Sequence, residues 1–443
     1  MFCGRESYAV LEKSLRAEHA ASEAARESRQ RIAPNGGLAS FARSEQMSEA
    51  VANGDGGKDS VTGADGPAIG EKSAEESATF LSEIVGDAAA AGRVMPTGAV
   101  LDLMDILAGR VAYNHVGGMV ATVSFDHVHL RMPICHTDLV RVEGRLVHVG
   151  ASSLVVRVVA YKQQKQTRAF VETASSLITM VALDKTTLRP NKNIPRLKLE
   201  TEQDRAASEY VKQRRALYAE WTRLQKQEEQ RGTPLTVQLV EEPRENQLGK
   251  REFLSISDTV VEVRKQCLPR HLNHNQTLFG GDILKWMEQT ALYTAQRFTG
   301  NNEMMTLSMN RVSFTQPIMT SDILDMRACV VYVRKYVLEV EVQASVDRSG
   351  DRRNMRASHT GYFEILNMDS IGFKTPISVG IKLSDDNPQD LLRYQMAKTR
   401  FLFERQQQQL ASTSEGRALS ELERARTGLD ENDDDQHRKH YLS

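Results

Sequence analysis

A chain of 443 residues is too long for one ordinary hydrophobic core and points to two globular units with extensions. Its 57 basic and 58 acidic residues leave a formal charge of -1, which gives no electrostatic footprint for a nucleic-acid binder. Four dispersed cysteines, Cys3, Cys135, Cys267 and Cys329, argue against a zinc knuckle or a disulfide scaffold, and no apolar run approaches the roughly 18 residues of a membrane span.

The chain opens by mixing Arg5, Arg16, Arg26, Arg29 and Arg31 with Glu6, Glu12, Glu18, Glu23 and Glu27, which reads as a solvated helix. A mitochondrial presequence is basic and poor in acids. From Pro34 to about Ser77, Gly, Ser, Ala and Asp dominate; this predicts disorder, because little apolar area is available to offset ordering entropy. A helix is expected to resume near Phe80. A second is expected over Thr97–Tyr113, where Leu101, Met104, Ala108 and Ala112 form one buried stripe. Four strand-like runs follow: Met119 to Leu130, Leu139 to Val149, Ser152 to Tyr161 and Ala169 to Leu183. Between Lys185 and about Lys250 the chain turns polar, with a charged surface helix expected over Glu202–Gln230.

The pattern then recurs. A strand from Ser255 to Gln266 leads to a polar loop, a helix from Gly280 to Phe298 and four further strands ending near Ile365. On this helix Leu284, Met287, Ala291, Ala295 and Phe298 repeat the buried stripe. Thr122, Ser124, Val128, Pro133, Ile134 and Asp138 match Thr306, Ser308, Val312, Pro317, Ile318 and Asp322 at one offset of 184 (322 minus 138). Gly98, Ala108 and Ala112 meet Gly281, Ala291 and Ala295 at an offset of 183 (281 minus 98). Each half is therefore one long helix followed by an antiparallel meander, and one half alone would leave its sheet with an unsatisfied edge.

The loop of the second half, HLNHNQTLFGG, carries Asn273 and Asn275 and ends at Gly280 and Gly281, where the helix begins. Unpaired backbone N–H groups and the positive end of the helix dipole gather there, suited to a carbonyl oxygen or a phosphate. Read alone, both asparagines are equally suited to turn and cap work.

N-x-N-x-x-x-F-G-G before a long helix wrapped by antiparallel strands resembles the hotdog fold, and more specifically the tandem hotdog acyl-CoA thioesterases. The resemblance covers about Phe80 to Met368 in two copies, and the long linker and divergent first copy are similar to the family's mitochondrial branch. It implies an α+β architecture: two hotdog domains in tandem, each a long central helix wrapped by an antiparallel sheet, paired as a pseudo-dimer. The boundaries expected are an extension over 1–77, hotdog domains over 78–187 and 251–368, a linker over 188–250 and a C-terminal extension over 369–443. It further implies hydrolysis of fatty acyl-CoA without metal or redox cofactor, assembly into homo-oligomers and a mitochondrial location. The acidic N-terminus favours the cytoplasm instead.

Transferred onto this chain, the family's composite site sets the loop Asn273 of one half against the helical Asp105 of the other. Asp105 would be the general base or nucleophile, Gly280 and Gly281 would supply oxyanion N–H donors, and Asn273 would orient water or thioester. Glu288 occupies the acid position of the second half, as a weaker catalytic carboxylate or a relic. The first-half loop position near Ala90 carries no polar group, and Pro96-Thr97-Gly98 replaces Phe279-Gly280-Gly281. Asp105 on a solvated face remains the plain alternative. His127 and His129 share a spacing that suits either a metal or an ordinary sheet surface; Arg311, Arg334 and Lys335 are candidates for coenzyme A phosphates. Acyl chain length would depend on packing around Trp286, Met287 and Tyr293. Rival functions are a non-catalytic acyl-CoA binder or assembly subunit and an enoyl-thioester hydratase, which needs a His paired with an acid.

Overall fold

The computed structural model describes residues 70–86, 94–165, 167–230, 235–240, 243–273, 275–320, 322–347 and 355–417. The helix expected at the N-terminus and the loop position near Ala90 lie outside them. In chain order β1 (Glu71–Ser73), a one-turn helix (Ala74–Ser77) and β2 (Thr79–Ile84) precede the long helix α1 (Thr97–Val116). Then come β3 (Val120–Phe125), β4 (Val128–Leu130), β5 (Leu139–Val149), β6 (Ser153–Gln163), β7 (Phe170–Ala182), β8 (Arg196–Lys198) and α2 (Glu202–Glu229). The second half supplies β9 (Glu252–Leu254), β10 (Val261–Gln266), α3 (Gly280–Thr299), β11 (Met304–Met309) and β12 (Val312–Ser313). It closes with β13 (Ile323–Val333), β14 (Val337–Asp347), β15 (Arg356–Asn367), β16 (Val379–Ile381) and α4 (Pro388–Ala411).

The apolar stripes explain why α1 and α3 are central. Leu101, Met104, Ala108 and Ala112 on one, and Leu284, Met287, Ala291 and Ala295 on the other, are wholly buried. Burying each larger side chain contributes about 1.5–3 kcal/mol. Both helices stop at a glycine in the left-handed region, Gly117 (φ 66°) and Gly300 (φ 69°), whose N–H groups close onto Tyr113 and Gln296. A Cβ would be strained there.

One 12-stranded sheet wraps both helices, running β10-β13-β14-β15-β11-β4-β7-β6-β5-β2, with β3 against β7 and β12. The halves join through registers that interchange under the sequence offset. Phe125 faces Val312 while Val128 faces Met309, and Ser124 faces Ser313 while His129 faces Ser308. Each half thereby supplies the edge the other lacks, the two hotdog units forming an internal pseudo-dimer.

Three sequence expectations change. The helix near Phe80 is the edge strand β2, paired with β5 from Thr79↔Gly144 to Ile84↔Leu139. Its helix-forming neighbours Ala74–Ser77 make a separate turn that the Ser73–Glu76 capping box starts and that ends at the extended Ala78. That turn and β1, parallel to β8, also replace the disorder expected for the last residues before Ser77. The single strand expected from Met119 to Leu130 is two strands, broken at Asp126 and His127.

The charged helix α2 lies on the sheet's outer face, where Ala207, Tyr210 and Val211 bury against Val147, Val155 and Leu177. Alongside, α4 buries Leu391, Tyr394 and Ala397. Between these helices and the sheet runs a polar layer. Arg214 meets Asp126 at 2.9 Å, and Arg400 Nε donates to Glu339 Oε1 at 3.0 Å with its guanidinium 3.4 Å from the Tyr362 ring centroid. His127 and Glu404 lie 3.9 Å apart in this layer. Burial pushes the His127 ring down to about 3 and the Glu404 carboxyl up to about 8, so both are neutral at pH 7.

Candidate active site

The N-terminal turn of α3 abuts α1. Asp105, 1% exposed, accepts hydrogen bonds from Thr122 Oγ1 at 2.8 Å on Oδ1 and from the Gly281 N–H at 2.9 Å on Oδ2. The acid and the threonine come from the first half and the N–H from the second. Thr122 reaches inward at a register shift between Thr122 and Ser124, the kind of bulge that re-aims a side chain. Glycine is required for this approach. A Cβ on Gly280 would lie 2.7 Å from Asp105 Oδ2, and one on Gly281 would lie 2.3 Å from Asp102 Oδ1 and 2.8 Å from the Asp102 Cα.

Gly281→Ala is therefore expected to force the helices apart and cost about 1–3 kcal/mol. Gly109→Ala, on α1 with nothing within 4 Å of the added carbon, is expected to be neutral or stabilising. Urea denaturation of the two variants checks this; equal stabilities would refute the crowding.

The same construction recurs around Glu288, 2% exposed, which accepts from Thr306 Oγ1 at 2.7 Å and feels the Gly98 backbone N–H. Its register shift lies between Thr306 and Ser308. The extra methylene makes a difference, since Glu288 Oε2 has no hydrogen-bond partner. Burial raises both carboxyls to about 7; the hydrogen bonds from Thr122 and Gly281, or the hydrogen bond from Thr306 together with the nearby Gly98 backbone N–H, hold them from rising further. Asp102, raised to about 6 by burial and then by Asp282, adds to the rise of Asp105.

Asn273 organises its loop. Its Oδ1 accepts from the Asn275 N–H at 2.9 Å, the Thr277 N–H at 3.2 Å and Thr277 Oγ1 at 3.1 Å. Its Nδ2 takes no part in that turn. Asn275 crosses the interface, donating from Nδ2 to the Val120 carbonyl at 2.9 Å, two residues before Thr122. Thr122, Thr306 and Asp102 had been given no role from sequence. The paired threonines were visible in the repeat, in step with the paired acids, and that coincidence was the available signal.

The remaining candidates lie elsewhere. His127 and His129 have ring centroids 6.4 Å apart, and His127 is packed under α4 rather than on an open sheet surface. Among the described residues, no group of three or more His, Cys, Asp or Glu is placed to hold a metal. Arg311 stacks 4.4 Å from the Tyr218 ring centroid, Arg334 pairs with Glu364, and Lys335 lies 4.9 Å from the Tyr336 ring centroid. Trp286 and Met287 are buried, whereas Tyr293 is 51% exposed and faces outward.

Two hotdog units whose acid-bearing helices pack against each other define a tandem hotdog protein. A family model described as the thioesterase superfamily matches residues 94–169 and 275–350. An uncharacterized acyl-CoA thioester hydrolase of Bacillus subtilis is 33% identical over 122 residues, 27% of this chain and 69% of that protein. The chain belongs to this family of acyl-CoA thioesterases in its tandem form. It is 26% identical over 287 residues to the chloroplastic acyl-coenzyme A thioesterase 2 of Humulus lupulus, covering 60% of this chain and 65% of the relative. It is 25% identical over 292 residues to the mitochondrial acyl-coenzyme A thioesterase 4 of the same plant, covering 60% of this chain and 54% of the relative. The chain thus spans less than two thirds of the length of either plant relative.

Proposed function

We propose that the protein hydrolyses fatty acyl-CoA to a fatty acid and coenzyme A at a composite centre built on Asp105. The observation that carries this is the buried Asp105 carboxyl, held by Thr122 of its own half and by the N-terminal turn of the other half's α3. As a carboxylate, Asp105 takes a proton from water as the oxygen attacks the thioester carbonyl. The oxyanion that forms is stabilised at the N-terminus of α3 by the helix dipole and the Gly280 backbone N–H. The Gly281 N–H, expected from sequence to be a second donor, is instead taken up in holding Asp105. Asn273 Nδ2 orients the water or the carbonyl. Collapse expels the coenzyme A thiolate, which takes up a proton.

Thiol release from a panel of acyl-CoA substrates tests the activity, and its pH dependence tests the base. With Asp105 titrating at about 7, kcat/KM is expected to fall about tenfold per pH unit below that value and level off above it. A profile flat from pH 5 to 8 would exclude Asp105 as the base. Glu288, with its unpaired Oε2, is assigned a second and weaker centre. Among the described residues, no histidine is hydrogen-bonded to either acid, which favours hydrolysis over enoyl-thioester hydration. Binding of acyl-CoA with no thiol release would favour the non-catalytic reading. Assembly of tandem units into a homo-oligomer and a mitochondrial location extend the same family reading, the location resting on the name of one plant relative.

A further inference from the structure

A histidine stands one aromatic ring, Phe314, removed from the Asp105 centre and takes no part in the mechanism above. His359 on β15 is 3% exposed, its Nδ1 is paired with Ser358 Oγ, and its Nε2 has no hydrogen-bond partner. The Ser358 carbonyl is in turn fixed by Thr315 Oγ1. The ring packs edge-on against Phe314 with centroids 5.0 Å apart. Phe314 in turn reaches within 3.4 Å of the position a Gly280 Cβ would take, the position that also lies 2.7 Å from Asp105 Oδ2. The strand register shifts between Ala344, the partner of His359, and Ser345.

The other half shows what this position needs for folding alone. There the matching pair is Ala160↔Ala174, with its own register shift between Ala160 and Tyr161. An alanine suffices at the Glu288 end, whereas the Asp105 end carries an imidazole whose ring proton affinity is lowered to about 3 by burial alone. No charged neighbour contributes to that shift, so His359 is a neutral hydrogen-bonding group and not an acid–base partner of Asp105. A buried polar atom left unpaired is costly, so such a group implies an occupant with a complementary polar atom.

We propose that His359 is a specificity residue that hydrogen-bonds an oxygen substituent, a hydroxyl or a keto group, on the acyl chain of the substrate bound at the Asp105 centre. The inference rests on the acyl-CoA reading above. It is tested with matched acyl-CoA pairs of equal chain length, with and without one chain oxygen placed at successive carbons. Wild type should favour one oxygenated member by about 10- to 100-fold in kcat/KM, the range set by one buried hydrogen-bonding group. His359→Ala, which copies the other half, and His359→Leu, which keeps the volume, should both bring that ratio to about one. Ser358→Ala, which frees the ring's tautomer, should lower it. A wild-type ratio near one at every position means that water alone satisfies the imidazole and overturns the proposal, as does a ratio that survives both His359 variants. If no acyl-CoA is hydrolysed, the proposed activity falls separately. Calorimetry with non-hydrolysable thioether analogues then reads the same ratio in Kd.

Discussion

Asp105→Asn is expected to lower kcat by about 10²- to 10⁴-fold, the contribution of a positioned general base. The amide oxygen can still accept from the Gly281 N–H while the amide NH2 donates to the Thr122 hydroxyl oxygen, so loss of activity should come without loss of fold. Stability should move the other way. The folded-state value of Asp105 is raised from 3.8 to about 7, so burying it as a neutral acid adds stability that is fully present below about pH 4 and lost as pH rises through 7. The Asn variant carries no such loss, and its Tm relative to the parent should rise between pH 5 and pH 8. Glu288→Gln should leave most of the activity, because that acid has an unpaired oxygen and faces the N-terminus of α1, where the first half lacks the Asn273 loop sequence. Steady-state thiol release and melting curves at the two pH values measure all of this. Equal activity losses in the two variants would contradict the assignment of unequal centres.

Arg400→Met is expected to destabilise the protein by about 3–5 kcal/mol, the cost of leaving a buried charge without its partner. Arg400 and Glu339 are 4% and 5% exposed beneath α4, and the Arg400 guanidinium lies over Tyr362. Burial raises the Glu339 proton affinity while Arg400 pulls it back; burial works against the Arg400 charge while Glu339 overrules it. Pairing Arg400→Met with Glu339→Leu should recover most of the loss, since apolar replacement of a whole buried pair is often neutral or better. Chemical denaturation gives both values. A single variant within about 1 kcal/mol of the parent would mean that the layer carries no such strain.

The fold was legible wherever a short-range period carried it. The stripes Leu101–Ala112 and Leu284–Phe298 placed both central helices because a 3.6-residue repeat of apolar groups must bury one face. The offset of 184 exposed the duplication because both halves solve the same packing problem. Residues 70–84 were misread because the edge pairing of β2 and the parallel β1–β8 contact are settled by partners more than 50 positions away, such as Gly144 and Arg196. The capping role of Asn273 was open from its loop context, and its bonds to Asn275 and Thr277 now fill its Oδ1.

By itself the sequence determined the two helices, the tandem repeat and the uneven pair Asp105 and Glu288, since these depend on residue type and spacing along one chain. Only the tertiary structure decided that Gly281 donates to Asp105, that Thr122 completes the acid's hydrogen bonds, and that Gly280 and Gly281 are small to admit two carboxyl groups of α1. Those contacts join residues 17 and 176 positions apart, the second across an interface whose geometry comes from helix packing and sheet register. No local pattern encodes such distances.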